Sequence, residues 1–133
     1  MSSIKNTLYL RRAMLLDAAA SGLTAALMIA GASLLEGPLG LPVWLLREAG
    51  LILIPYVIFV AVVATRDRIA TGAVCTVIAA NALWTAGSFA LLASGFVSPT
   101  ALGTAFVAMQ ALAVAVLGAL QYVALRYSQP VLS

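Results

Sequence analysis

The chain has 133 residues, 64% of them hydrophobic and 8% charged, with a net charge of +3. Soluble domains carry roughly 25% charged residues, so this composition, with a mean hydropathy of +1.12, excludes an ordinary soluble globule and implies one polytopic membrane domain. One cysteine, Cys75, and no histidine exclude an intrachain disulfide, a dithiol redox cycle and histidine-ligated haem, zinc or copper within one chain, and remove the commonest general base.

The opening MSSIKNTLYLRRAML has the charge pattern of a signal-peptide n-region. The apolar run behind it, Ala13–Leu35, is 23 residues, longer than a signal h-region of about 7–15, so it reads as a retained first span. Within it Asp17, Ser21 and Thr24 form one polar stripe, and Ala18, Gly22 and Ala26 a small-xxx-small ladder for close helix approach. Glu36–Pro42, with two glycines and two prolines, reads as a tight turn.

The second span covers 43–65. Trp44 is placed as an interfacial anchor, Arg47 and Glu48 lie in the first turns, and Pro55 should kink the middle. Thr65–Arg68 is a charged turn. The third span, 71–94, carries Asn81, Trp84 and Ser88 on one helix face. Asn81 lies 13 residues past Arg68, about 20 Å along a helix axis, deep enough in hydrocarbon that its amide must find a partner. Thr100 or Ser98, beside Pro99, can cap the fourth span, 101–125. There Gln110 and Gln121 share a face, and Ala101, Ala105, Ala108, Ala115 and Ala119 make a small-residue strip. The tail SQPVLS is expected to lack order.

Every span exceeds the length needed to cross about 30 Å of hydrocarbon. Lys5, Arg11, Arg12, Arg66, Arg68 and Arg126 fall on one side of such an arrangement and only Arg47 on the other. The expected architecture is therefore an all-α, four-helix antiparallel transmembrane bundle with both termini cytoplasmic. Basic residues at span ends, without interleaved aromatics, give no nucleic-acid surface. An internal duplication is not supported, because the two helical halves do not match residue for residue.

Asp17 admits two readings. It could be a proton- or cation-binding carboxylate in the membrane, or a structural ion pair with Arg66, Arg68 or Arg126; the ion pair is preferred. For the outer pair, Arg47 bonding Glu36 or a headgroup, with Glu48 turned toward the bundle or a hydroxyl, is preferred over Glu48 as a gate or ligand carboxylate. Asn81, Ser88, Gln110 and Gln121 could line a polar pocket but read first as interhelical glue, with Asn81 facing Gln110. Trp84 reads as a core tryptophan and Cys75 as a small buried hydrophobe. The methionines form no soft-metal motif, no serine or threonine has an activating neighbour, and phosphate loops are absent. No catalytic residue, metal ligand or cofactor site is expected.

The stretches LRRAMLLDAAASGL, LPVWLLREAGLILIPY, NALWTAGS and SPTALGTAFVAMQA resemble a group of uncharacterised small bacterial four-helix integral membrane proteins. The resemblance rests on Asp17–Ser21–Gly22, Leu46–Arg47, Asn81–Trp84 and Pro99–Thr100–Leu102–Gly103, and it implies a bacterial inner membrane but no activity. Small multidrug-resistance transporters are comparable in size, but they carry a glutamate deep in the first helix among aromatics. Here Asp17 sits near the entrance, with no aromatic between Tyr9 and Trp44. DoxX-like proteins are similar only in size and topology.

The expected function is that of a non-enzymatic accessory or structural subunit acting through helix packing. Its partners would be membrane lipids and a homo-oligomer or larger membrane complex. The alternative is an oligomeric small-molecule or cation transporter coupled through Asp17 or Glu48. An enzyme acting on a lipid or quinone ranks last.

Overall fold

The structure, a computed structural model, describes residues 3–5, 8–127 and 129–131, with side chains described over 8–127. Five helices dominate: α1 Leu8–Ala30, α2 Ala32–Leu39, α3 Val43–Thr65, α4 Thr71–Ser94 and α5 Ala101–Arg126. All but α2 are long and apolar enough to cross a membrane. Short strands β1 Ser3–Lys5, β2 Ile69–Ala70 and β3 Gln129–Val131 pair in the order β2-β1-β3, both ladders antiparallel. Part of the tail is thus a paired strand. The rest of it, and most of the reading made of residues 1–7, lies outside the described residues.

The first span differs most from expectation. The helix begins at Leu8 rather than Ala13 and breaks at Gly31, and a second helix replaces most of the expected turn. Arg11 and Arg12 do not delay the start, because Arg11 Nη1 donates to the carbonyls of Ala64 and, at 2.8 Å, Arg66. Those carbonyls lie at the C-terminal end of α3, where a cation is favoured. Pro38 is tolerated within α2 one residue before its end, and Gly40 closes the helix at φ +65°, a conformation suited to glycine. Helix α3 runs unbroken through Pro55.

The carbonyl end of α2 meets the start of α5. Thr100 Oγ1 donates to Pro38 O at 2.6 Å and accepts from Gly103 N at 3.0 Å, while Thr100 N donates to Leu39 O at 3.0 Å. One threonine therefore caps α5 and satisfies two α2 carbonyls. Trp44 packs edge-on against Phe96, centroids 6.2 Å apart, and stays half exposed as an anchor does.

Helices α1 and α3 pack along their length, as do α4 and α5. Contact between α1 and α5 joins the two pairs, and α3 and α4 touch only sparsely. Gly50 permits the α1–α3 approach, since a Cβ there would stand 2.7 Å from Ile29 Cγ1. Two apolar clusters form the core. One gathers Leu10, Met14, Val60, Val74 and Val77; the other gathers Met28, Leu39, Leu46, Leu53 and Val107. Tyr56 packs against both and marks the level between them.

Candidate functional site

A polar centre lies between the apolar clusters, and it is built on Asp17. Hydrocarbon-spanning backbone satisfies its own polar groups within each helix, so side-chain polar groups at this depth must satisfy one another. Asp17, Asn81 and Gln121 are at most 3% exposed. Ser21 Oγ donates to Asp17 Oδ1 at 3.0 Å. Gln121 Nε2 and Asn81 Nδ2 donate to Asp17 Oδ2 at 2.8 and 3.1 Å. Asn81 Nδ2 also donates to Gln121 Oε1 at 2.9 Å. The Tyr56 hydroxyl sits between two oxygens, 2.5 Å from Asp17 Oδ2 and 2.7 Å from Asn81 Oδ1. One side chain from each of α3, α4 and α5 converges on the α1 carboxyl.

This arrangement overturns the ion-pair reading. Among the described residues every hydrogen-bond partner of Asp17 is neutral. Arg126 instead reaches the Tyr122 hydroxyl at 3.2 Å, and Arg66 and Arg68 are exposed. The early start of α1 explains the difference. Asp17 stands nine residues into the helix, about 14 Å along its axis, and so reaches the level of Asn81 rather than that of the arginines.

The Asn81–Gln110 pairing is also corrected. Gln110 belongs to a second centre, where Trp84 Nε1 donates to its Oε1 at 2.7 Å and its Nε2 donates to Ser88 Oγ at 3.0 Å. Asn81 lies a helical turn away from this centre and is matched by Gln121. A substitution separates the two centres. Asn81→Leu removes a residue engaged with Asp17, Tyr56 and Gln121, and should lower unfolding free energy by about 2 kcal/mol. Gln110→Leu leaves only Trp84 Nε1 without its partner, since Ser88 Oγ still donates to Trp84 O, and should cost about 1 kcal/mol. Unfolding titrations in detergent would measure both, and equal losses would contradict this ranking.

The outer residues do not form a site. Arg47 and Glu48 are exposed, since the packed face of α3 carries Leu46, Gly50 and Leu53. Arg47 Nη2 reaches Ser33 Oγ at 3.4 Å, while Glu36 Oε2 accepts from Val43 N at 3.2 Å. Arg47 thus does not pair with Glu36, and Glu48 turns away from the bundle. Cys75 is exposed rather than buried, on the outer face of α4. The α5 strip likewise faces outward. Ala101, Ala105, Ala115 and Ala119 are exposed, and close packing against α4 uses Gly118, where a Cβ would stand 3.2 Å from Asn81 Cβ.

Sequence reasoning missed Tyr56. Its signal was a phenol in the middle of LILIPYVIFV, because a tyrosine hydroxyl that deep in an apolar run needs a partner. Beside the centre, where α3 and α4 diverge, a cleft of about 390 Å³ is lined by Ser21, Leu53, Tyr56, Asn81, Trp84 and Val114, among others. Among the described residues no three His, Cys, Asp or Glu side chains come together as a metal site would require. No family model, curated protein or solved structure matches the chain.

Proposed function

We propose that this chain is a non-enzymatic subunit of a bacterial inner membrane, an antiparallel bundle with cytoplasmic termini, acting through helix packing on a second copy or a larger membrane complex. The observation that carries this reading is the outward face of α5. Small residues on a membrane helix let another backbone approach closely, and here Ala101, Ala105, Ala115 and Ala119 are uncovered. Two further features support it. Among the described residues every buried side-chain polar atom is already partnered inside the bundle, as suits a rigid scaffold. The pairing of β1 with β2 and β3 gathers the N-terminal segment, the α3–α4 connection and the C-terminal segment at one end, in keeping with the bias of basic residues.

Cysteine crosslinking in native membranes tests the proposal. In a Cys75→Ser background, Ala105→Cys and Ala119→Cys should crosslink to a second copy or a distinct partner, whereas Leu34→Cys should not. A chain that stays monomeric at every position, and on blue-native gels, overturns it.

A second reading, transport coupled through Asp17, is favoured by one observation: a membrane carboxyl beside the α3–α4 cleft with no cation among its described partners. Such groups commonly mark ion pathways. Proteoliposome flux lost in Asp17→Asn supports it, and flux unchanged in that variant removes it.

A further inference from the structure

We infer that Asp17 is a proton-binding site, holding a proton on Oδ2 in the folded bundle and donating it to the Tyr56 hydroxyl. The inference stands on the geometry of the polar centre and is independent of both functional readings above. Six contacts join Asp17, Ser21, Tyr56, Asn81 and Gln121. Each needs one hydrogen. Ser21 supplies one, the Asn81 amide two, and the Gln121 amide one. Tyr56 has a single hydroxyl hydrogen but faces two oxygens, Asp17 Oδ2 at 2.5 Å and Asn81 Oδ1 at 2.7 Å. With an ionised carboxylate, which only accepts, one of those close oxygen pairs has no hydrogen between its members.

A proton on Oδ2 completes the set. The acid donates to Tyr56 Oη, and Tyr56 donates onward to Asn81 Oδ1. Oδ2 still accepts from the two amides, and Oδ1 accepts from Ser21. Turning the amides over does not remove the need. With Asn81 alone reversed, its oxygen faces Gln121 Oε1; with Gln121 alone reversed, two amide nitrogens meet. With both reversed, two amide oxygens face Asp17 Oδ2, and a single acid proton cannot fully serve both. Only the arrangement with a protonated acid satisfies all six contacts.

Among the described residues the only other titratable group bonded to Asp17 is Tyr56, on α3. Helices α4 and α5 present amides, and Arg11, on α1 itself, is engaged with the terminal α3 carbonyls. The count also accounts for a carboxyl rather than an amide at this position. An asparagine nitrogen in the place of Oδ2 could donate to Tyr56 but could not accept from Asn81 and Gln121.

Infrared spectroscopy of the full chain in nanodiscs reads the proton directly. The chain has two aspartates, Asp17 and Asp67, so carboxyl-labelled aspartate in an Asp67→Asn background isolates Asp17. The expected isotope-shifted band is the C=O stretch of a protonated acid, lost in Asp17→Asn and displaced in Tyr56→Phe, where the acid loses its acceptor. Carboxylate stretches alone in the Asp67→Asn parent overturn the inference, and that measurement needs no substitution in the polar centre. A protonated band that does not move in a folded Tyr56→Phe variant overturns the donation to Tyr56.

Discussion

Asp17→Leu should lower the unfolding free energy of the bundle by about 3 kcal/mol, the largest effect expected from any single polar residue here. The leucine removes the acceptor for Ser21, Asn81 and Gln121 and the partner of Tyr56. Interhelical hydrogen bonds in membranes average about 0.6 kcal/mol and reach about 1.7, so no one bond accounts for the loss. It arises because four groups from all four spanning helices lose the same partner. Asn81 and Gln121 can keep their mutual bond, which caps the loss. Asp17→Asn should cost only about 1 kcal/mol, since it preserves shape and part of the bonding. Unfolding in mixed micelles of increasing denaturing-detergent content, followed by helical signal, measures both variants. A leucine variant as stable as the native protein would show that the centre does not hold the helices together.

Gly103→Ala is the second large effect, at about 3 kcal/mol or more. A Cβ at Gly103 would lie 1.8 Å from Leu39 O and 2.8 Å from Leu39 C. Both are backbone atoms, so no side chain can swing aside to relieve the overlap. Either α2 or the start of α5 must move, and the Thr100 bonds to Pro38 and Leu39 must stretch or break. The same substitution at Gly87 is the control. A Cβ there meets nothing within 4 Å, so Gly87→Ala should change stability by about 1 kcal/mol or less. Thermal unfolding of the two variants side by side separates steric overlap from a general effect of replacing helical glycine. Equal midpoints for both would show that the α2–α5 contact is loose.

Three of the four spans were readable in the sequence to within a residue at each end, because uninterrupted apolar runs bounded by charge or Gly/Pro leave few alternatives. The first span was not. Arg11 and Arg12 read as the outside of the membrane, yet an arginine can sit inside a helix when another helix offers its terminal carbonyls, as Ala64 and Arg66 do. The run Glu36–Pro42 read as a turn on composition, but Gly37 and Pro38 fall in the last turn of α2, and the chain turns only at Gly40. These local misreadings carried into the site. A helix taken to start five residues late puts Asp17 five residues shallow, among the arginines instead of beside Asn81. The polar residues Asp17, Asn81 and Gln121 were visible individually, but their convergence depends on the relative heights of four helices, which hydropathy does not encode. Tyr56 was hidden by its neighbours, because one phenol barely lowers the hydropathy of the run LILIPYVIFV around it.

The polar centre has a consequence for biosynthesis. Its members are spread from Asp17 to Gln121, a separation of 104 residues along the chain, so α5 supplies one of the donors to α1, which is made well before it. Until α5 packs, the carboxyl of α1 has at most Ser21, Tyr56 and Asn81 for company, and the Asn81 amide lacks its glutamine. A nascent chain stopped after α4 therefore leaves these polar groups half satisfied. The centre is complete only once α5 has packed against α1 and α4.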